Sequence, residues 1–187
     1  LSMQRTTLMK THIVLAAFIL PVALMYFVSG ALYTWGVKGG YENTDYELTL
    51  TEPLQTEQAI LHDFVVAQLT ERDIAVPSGH SKIKKGGTSY KFEWTGSALD
   101  VVLSPTFDPL KAKLTVKKTS AYRQLVQLHK AKGGTPFKVY AVVLVVSLLL
   151  LLLSGVMMAW QLPKYRPLLF TSLGPGVVVF AAMVMLS

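Results

Sequence analysis

The chain contains no cysteine. That excludes disulfides, thiolate metal ligands and thiol nucleophiles, and it leaves the redox compartment open. Acidic residues are missing from most of the 187 positions: all eleven lie between Glu42 and Asp108. Residues 11–36, 139–161 and 167–187 carry no Lys, Arg, Asp or Glu at all. Uncharged stretches of that length exclude an intramembrane proton relay or ion path built from ionisable side chains. No Ala-x-Ala-like site follows a short apolar core near the start, so the first stretch is expected to be an uncleaved anchor.

What is present explains those gaps. Apolar residues make up 51% of the chain and the mean hydropathy is +0.42. A bilayer core needs roughly 20 consecutive apolar residues, and each uncharged stretch qualifies as a span. Tyr33, Trp35, Tyr140, Trp160 and Tyr165 fall near the expected interfaces, with Trp35 and Trp160 as the anchors.

The net charge of +7 first suggests a nucleic-acid partner, but its distribution argues otherwise. Residues 37–136 hold thirteen Lys or Arg against the eleven acids. The remaining five are Arg5, Lys10, Lys138, Lys164 and Arg166, which flank the spans. The excess is therefore a topology signal, and no nucleic-acid partner is expected. Positive flanks favour the cytoplasm, so the region before span one and the 162–166 turn are expected inside. Residues 37–136 and the C-terminus then lie outside.

The outside region reads as a small α+β domain. Thr51 and Pro53 predict a helix over 52–73, with Leu61, Phe64, Val65 and Leu69 at helical spacing. Four strands are expected near 80–85, 88–95, 98–104 and 111–118, separated by Lys85-Gly86-Gly87, Thr95-Gly96-Ser97 and Pro105–Pro109. Tyr90, Phe92 and Trp94 alternate with Lys91 and Glu93, so one face of that strand is aromatic. An amphipathic helix follows over about 119–132, capped by Thr119 or Ser120. Tyr122, Leu125, Val126 and His129 share one face; Arg123, Lys130 and Lys132 point to solvent or headgroups. Gly133-Gly134 is expected to end it and Pro136 to prevent restart.

The fold expected is thus a three-span α-helical membrane protein with a helix and a four-stranded antiparallel sheet outside. Its parts are 1–36 (cytoplasmic N-terminus and span one), 37–118 (outside domain), 119–136 (juxtamembrane helix), 137–161 (span two), 162–166 (turn) and 167–187 (span three).

Two of the spans end alike. Ser29-Gly30 precedes Trp35, and Ser154-Gly155 precedes Trp160, each with four residues between. A small pair lets a helix or a flat ligand approach the backbone, so both pairs are candidate packing notches. Spans one and two are antiparallel. His12 should therefore lie at the depth of Ser154-Gly155, and His129 at that of Ser29-Gly30. Ser29 lies 17 residues after His12, about 25 Å along a helix. The two histidines are thus about a membrane thickness apart, roughly 30 Å, and cannot clamp one haem within a single chain. His62 and His80 lack metal-ligand spacing and read as ordinary polar residues. No catalytic residues and no metal site emerge. Lys84-Lys85-Gly86-Gly87 is a basic hairpin tip, not a phosphate loop.

Leu128-His129-Lys130, with Lys132-Gly133, leads into a span closing on Leu153-Ser154-Gly155 and Trp160. Together with an N-terminal span and an outside helix-then-strands domain, this resembles the PepSY-associated transmembrane proteins over most of residues 8–166. The segment 52–118 is similar to a PepSY domain in element order. The resemblance implies a bacterial inner-membrane protein with a periplasmic domain. It also implies links to periplasmic peptidase regulation and, in larger four-span relatives, to haem-bearing siderophore or metal reductases. Three spans and two membrane-proximal histidines depart from those reductases.

Three readings follow. The first is a non-enzymatic accessory or regulatory subunit that packs its spans against a larger membrane complex, or against itself as a homodimer. It requires no cofactor, and no small-molecule substrate is identified for it. The second is a haem-binding electron-transfer module using His12 or His129. The third is a peptidase regulator acting through the exposed sheet edge.

Overall fold

The computed structural model describes residues 5–87 and 89–187. The first four residues and Thr88 lie outside the described residues, and with them the start of the expected N-terminal segment. Two compact units divide the chain: residues up to Ala23 with Val142–Ser187, and Leu24–Ala141.

Among the described residues, three helices are long and apolar enough to span a membrane. Helix α1 (Arg5–Thr34) and helix α4 (Gly134–Gln161) each run through both units, and α5 (Arg166–Leu186) lies wholly in the first. Buried or half-buried positions on α1 recur at Leu8, His12, Leu15, Ala16, Ile19, Val22 and Ala23. On α4 they recur at Leu144, Ser147, Leu148, Leu151, Ser154, Gly155 and Met158. Both sets follow the three-and-four spacing of a helix-packing seam. The exposed large side chains of both helices are mostly Val, Leu, Ile and Phe, the surface expected of lipid-facing spans. Pro21 falls inside α1 and Pro175 inside α5, each costing one intrahelical hydrogen bond. Helix α5 has no buried residue.

The second unit holds a five-stranded antiparallel sheet. The strands are β1 (Tyr41–Thr49), β2 (Ser81–Gly86), β3 (Ser89–Thr95), β4 (Leu99–Pro105) and β5 (Lys111–Thr119), in the order β1-β5-β4-β3-β2. The sequence predicts four strands, and β1 is the one it omits. Its residues, YENTDYELT, are too polar to show apolar alternation. It is a strand because all nine residues pair with β5, from Tyr41 opposite Thr119 to Thr49 opposite Lys111. Only Leu48 is fully buried on it.

Helix α2 (Gln58–Glu71) packs on one face of the sheet, burying Leu61, Val65 and Leu69 at helical spacing. Against them lie Leu48, Phe92, Val101, Leu103 and Leu114. Completely burying a side chain of this size stabilises by about 1.5–3 kcal/mol, which makes this cluster the anchor of the domain. The helix starts six residues later than Thr51 and Pro53 suggest. Pro53 disfavours helical geometry at Glu52, and the N-cap is Glu57, whose side chain makes no capping bond. At its end, Asp73 adopts φ 53°, and the Asp73 and Ile74 amides bond back to Thr70 and Leu69.

Helix α3 (Ala121–His129) starts where expected: the Ser120 hydroxyl accepts from the Arg123 amide. Its end differs. Ala131, not a glycine, takes the left-handed turn at φ 57°, and the Ala131 and Lys132 amides bond to Leu128 and Gln127. The Gly133-Gly134 pair instead opens α4. Gly134 has φ 76°, and a Cβ there would meet the Ser78 carbonyl oxygen at 2.9 Å. Pro136 does not prevent restart, because it sits in the first turn of α4, where its missing N–H has no partner to lose.

Candidate functional site

Four residues of the Ser-Gly and His pattern come together as two pairs, one in each unit. In the first unit, His12 Nδ1 lies 2.7 Å from Ser154 Oγ. The same hydroxyl donates to the Leu151 carbonyl at 2.9 Å. Ser154 has one proton, and it goes to Leu151. With that proton on Leu151 the oxygen can accept from His12, an arrangement that needs the imidazole proton on Nδ1 and leaves the lone pair on Nε2.

The second unit repeats the arrangement with the helices exchanged. Ser29 Oγ donates to the Met25 carbonyl at 2.6 Å and lies 2.9 Å from His129 Nδ1. The same arrangement here needs His129 protonated on Nδ1, with Nε2 left as acceptor. Among the described residues neither Nε2 makes a hydrogen bond.

The two notches differ in what fills them. A Cβ on Gly30 would sit 3.2 Å from His129 Cε1, so the imidazole rests on the glycine backbone itself. Tyr26 flanks the ring with centroids 4.7 Å apart. The Ser29-Gly30 notch is thus filled by the chain's own histidine. At Gly155 nothing lies within 4 Å of the Cβ position. Ser154 is engaged by His12 while the glycine beside it stays open. Both anchors are exposed, Trp160 lying edge-on to Phe170 with Arg166 over its ring, and Trp35 with almost nothing on it. Near the His12–Ser154 pair, Met9 and Met158 line an apolar cavity of about 480 Å³ with Ala159, Tyr165 and Leu168. Met9 is three residues from His12, and Met158 four from Ser154.

Helix α3, which carries His129, is held by a polar network not legible in the sequence. Helix α3 packs through Val126 and Gln127, one residue round from the expected face, while Leu125 is exposed. Arg123, expected toward solvent, turns inward: it donates to the Lys38 carbonyl and to Tyr41 Oη at 2.9 Å, and lies over the Tyr41 ring. Tyr41 donates to Asp100 Oδ2 at 2.9 Å, and Gln127 Nε2 reaches both groups. The other Asp100 oxygen accepts from the Gly96 amide. Burial pushes the Tyr41 hydroxyl above its usual range, Arg123 opposing and Asp100 reinforcing the shift. Lys132 is half-buried, and burial pulls its amine down although Asp100 attracts the charge. The one signal for this network in the sequence is Asp100, an acid in a strand with apolar neighbours.

The other histidines sit elsewhere. His62 lies on the Trp94 ring, centroids 4.4 Å apart, and His80 Nε2 is 3.5 Å from Lys138 Nζ. Among the described residues no group of three His, Asp or Glu could hold a metal ion.

The chain thus carries His12 on the first apolar helix and His129 on the short helix before the second, each paired with a serine next to a glycine, together with a helix-and-sheet domain. The family model of the PepSY-associated TM region matches residues 2–161. The chain belongs to this family. The match covers both His–Ser pairs of this PepSY-associated protein and ends at Gln161, so α5 lies beyond it. No curated protein and no solved structure matches the chain.

Proposed function

We propose that this PepSY-associated chain is a non-enzymatic accessory or regulatory subunit that packs its membrane helices against a larger membrane complex, a respiratory or metal-reducing one. It lies in the bacterial inner membrane with its N-terminus in the cytoplasm and residues 37–136 and the C-terminus in the periplasm.

The observation that carries this reading is the state of the small residues. The Ser29-Gly30 notch is filled by His129, whereas Gly155, Gly174 and Gly176 have nothing within 4 Å of their Cβ positions. Helix α5 contributes no buried residue although it holds two of these glycines. Small residues on apolar helices are where helices in a bilayer approach closely. The chain packs α1 with α4 and leaves the Gly174–Gly176 helix for another protein. Purification from native membranes in mild detergent should recover a stoichiometric second membrane protein. A stable monomer with no companion would contradict the reading.

One observation favours haem-binding electron transfer as a second reading. A haem axial imidazole coordinates through one nitrogen while the other is held by a hydrogen bond, and both His12 and His129 are held by Nδ1 with Nε2 free. The residues fit one axial ligand per site. Each unit holds only one such histidine, so a second ligand would come from a partner chain or a second copy. Bound haem would supply one-electron chemistry; the chain's part is to fix the imidazole orientation. Protein from haem-replete cells should then show a Soret band lost in His12→Ala or His129→Ala. A colourless preparation ends this reading.

A further inference from the structure

The sheet has two free edges, and they are built differently. The β2 edge is six residues long and carries Lys82, Lys84 and Lys85, the lysine-rich kind of edge that discourages strand pairing. The β1 edge is nine residues long, has no lysine and carries Glu42, Asp45 and Glu47.

Hydrogen-bond alternation shows what β1 leaves open. The Leu50 amide bonds to Leu110, and the Ser120 amide to Gly40. In an antiparallel pair, opposed residues alternate between bonded and non-bonded, so the even-numbered residues of β1 exchange bonds with β5. Asn43, Asp45, Glu47 and Thr49 therefore point their N–H and C=O outward. Among the described residues none of these groups has a backbone partner outside the sheet.

Beside the end of this edge runs a groove of about 470 Å³ between β1 and one flank of α2. Its lining includes Ile60, Leu61 and Phe64 together with Glu47, Glu52 and Glu71. Arg72 also reaches the groove but is engaged, bonding the Gln68 carbonyl, facing Glu71 and lying over the Tyr46 ring. Among the described residues neither Glu47 nor Glu52 makes a salt bridge. The groove thus combines apolar side chains with three carboxylates.

We propose that the β1 edge receives an extended segment of a partner chain as a sixth strand, with apolar side chains entering the α2 groove and Lys or Arg meeting Glu47 and Glu52. Main-chain bonds give such a strand its affinity and the groove selects its side chains. A second copy pairing β1 to β1 would oppose acid to acid, so the partner is a different chain with basic residues at alternate positions. This surface does not rest on the helix-packing proposal and would stand if α5 met only lipid.

The test uses the full chain in uncharged maltoside micelles and a labelled heptapeptide alternating Val and Lys, with the Val/Glu peptide and empty micelles as controls. The Val/Lys peptide should bind at least tenfold tighter than the Val/Glu peptide. It should slow hydrogen exchange at Asn43, Asp45, Glu47 and Thr49. Glu47→Pro removes one outward N–H and leaves the β5 ladder intact, so it should abolish binding. Glu47→Lys with Glu52→Lys should reverse the preference between peptides. Equal binding of both peptides, binding unchanged in both variants, or protection at β2 instead of β1 would overturn the proposal. Self-association of the chain through its Lys-rich β2 edge, displacing the peptide, would overturn it too.

Discussion

Ser29 and Ser154 each hold one proton, and where it goes decides the chemistry of two histidines. Each can donate to a carbonyl of its own helix while accepting from an imidazole of another. Without that acceptor the ring loses its fixed tautomer. Ser29→Ala should cost about 0.5–1.5 kcal/mol of unfolding free energy in detergent, since one modest hydrogen bond is lost. The clearer readout is the imidazole ¹⁵N shift of His129, which should move from a single Nδ1-protonated form to a mixture. An unchanged ¹⁵N spectrum in Ser29→Ala would show that the serine does not set the tautomer. Gly30→Leu should disturb the same ring by displacement, and combined with His129→Ala its effect should be less than additive because both act on one contact.

At the scale of elements, α3 is the piece that positions His129, and it ends on a strained residue. Ala131 sits at φ 57°, where a Cβ crowds the following carbonyl oxygen. Ala131→Gly should therefore stabilise the domain by about 0.5–1 kcal/mol, read from denaturant unfolding; a loss of stability would show that the turn is not strained. This turn also shows where sequence reading stops. Ser120 announces the start of α3 by its capping chemistry, and β3 announces itself through Tyr90, Phe92 and Trp94. The end of α3 does not fall on Gly133-Gly134, where the glycine rule points, because the tertiary hold on α3 puts an alanine in the left-handed position. Strand β1 is invisible for a related reason. Its identity comes from the partner β5, not from any alternation in YENTDYELT. Arg123 likewise faces inward rather than toward solvent, since no spacing rule anticipates that Tyr41 and Asp100 wait for it across the fold. The spans are the most legible part. Some 20 consecutive residues without charge match the thickness of a bilayer core, and no pairing with a distant partner is needed to recognise them.

At the scale of the whole molecule, some groups are satisfied within the chain and others are left open. The extramembrane domain has its own core, and the His–Ser pairs close on the chain's own side chains. Helix α5, the Gly155 backbone and the outward bonds of β1 are not closed in this way. Antiparallel spans predict that each histidine lies beside the other span's Ser-Gly pair, and His12 and His129 do bond to Ser154 and Ser29. The consequence is an unequal pair of notches, one filled and one open. If the chain is an accessory subunit, another membrane protein covers α5. Native mass spectrometry of the chain extracted from its own membranes decides this, comparing the unaltered chain with Gly174→Leu. The unaltered chain should carry a single added protein mass in fixed ratio, and Gly174→Leu should lose it while the extramembrane domain stays folded. A monomer carrying only lipid in both preparations would contradict the accessory role.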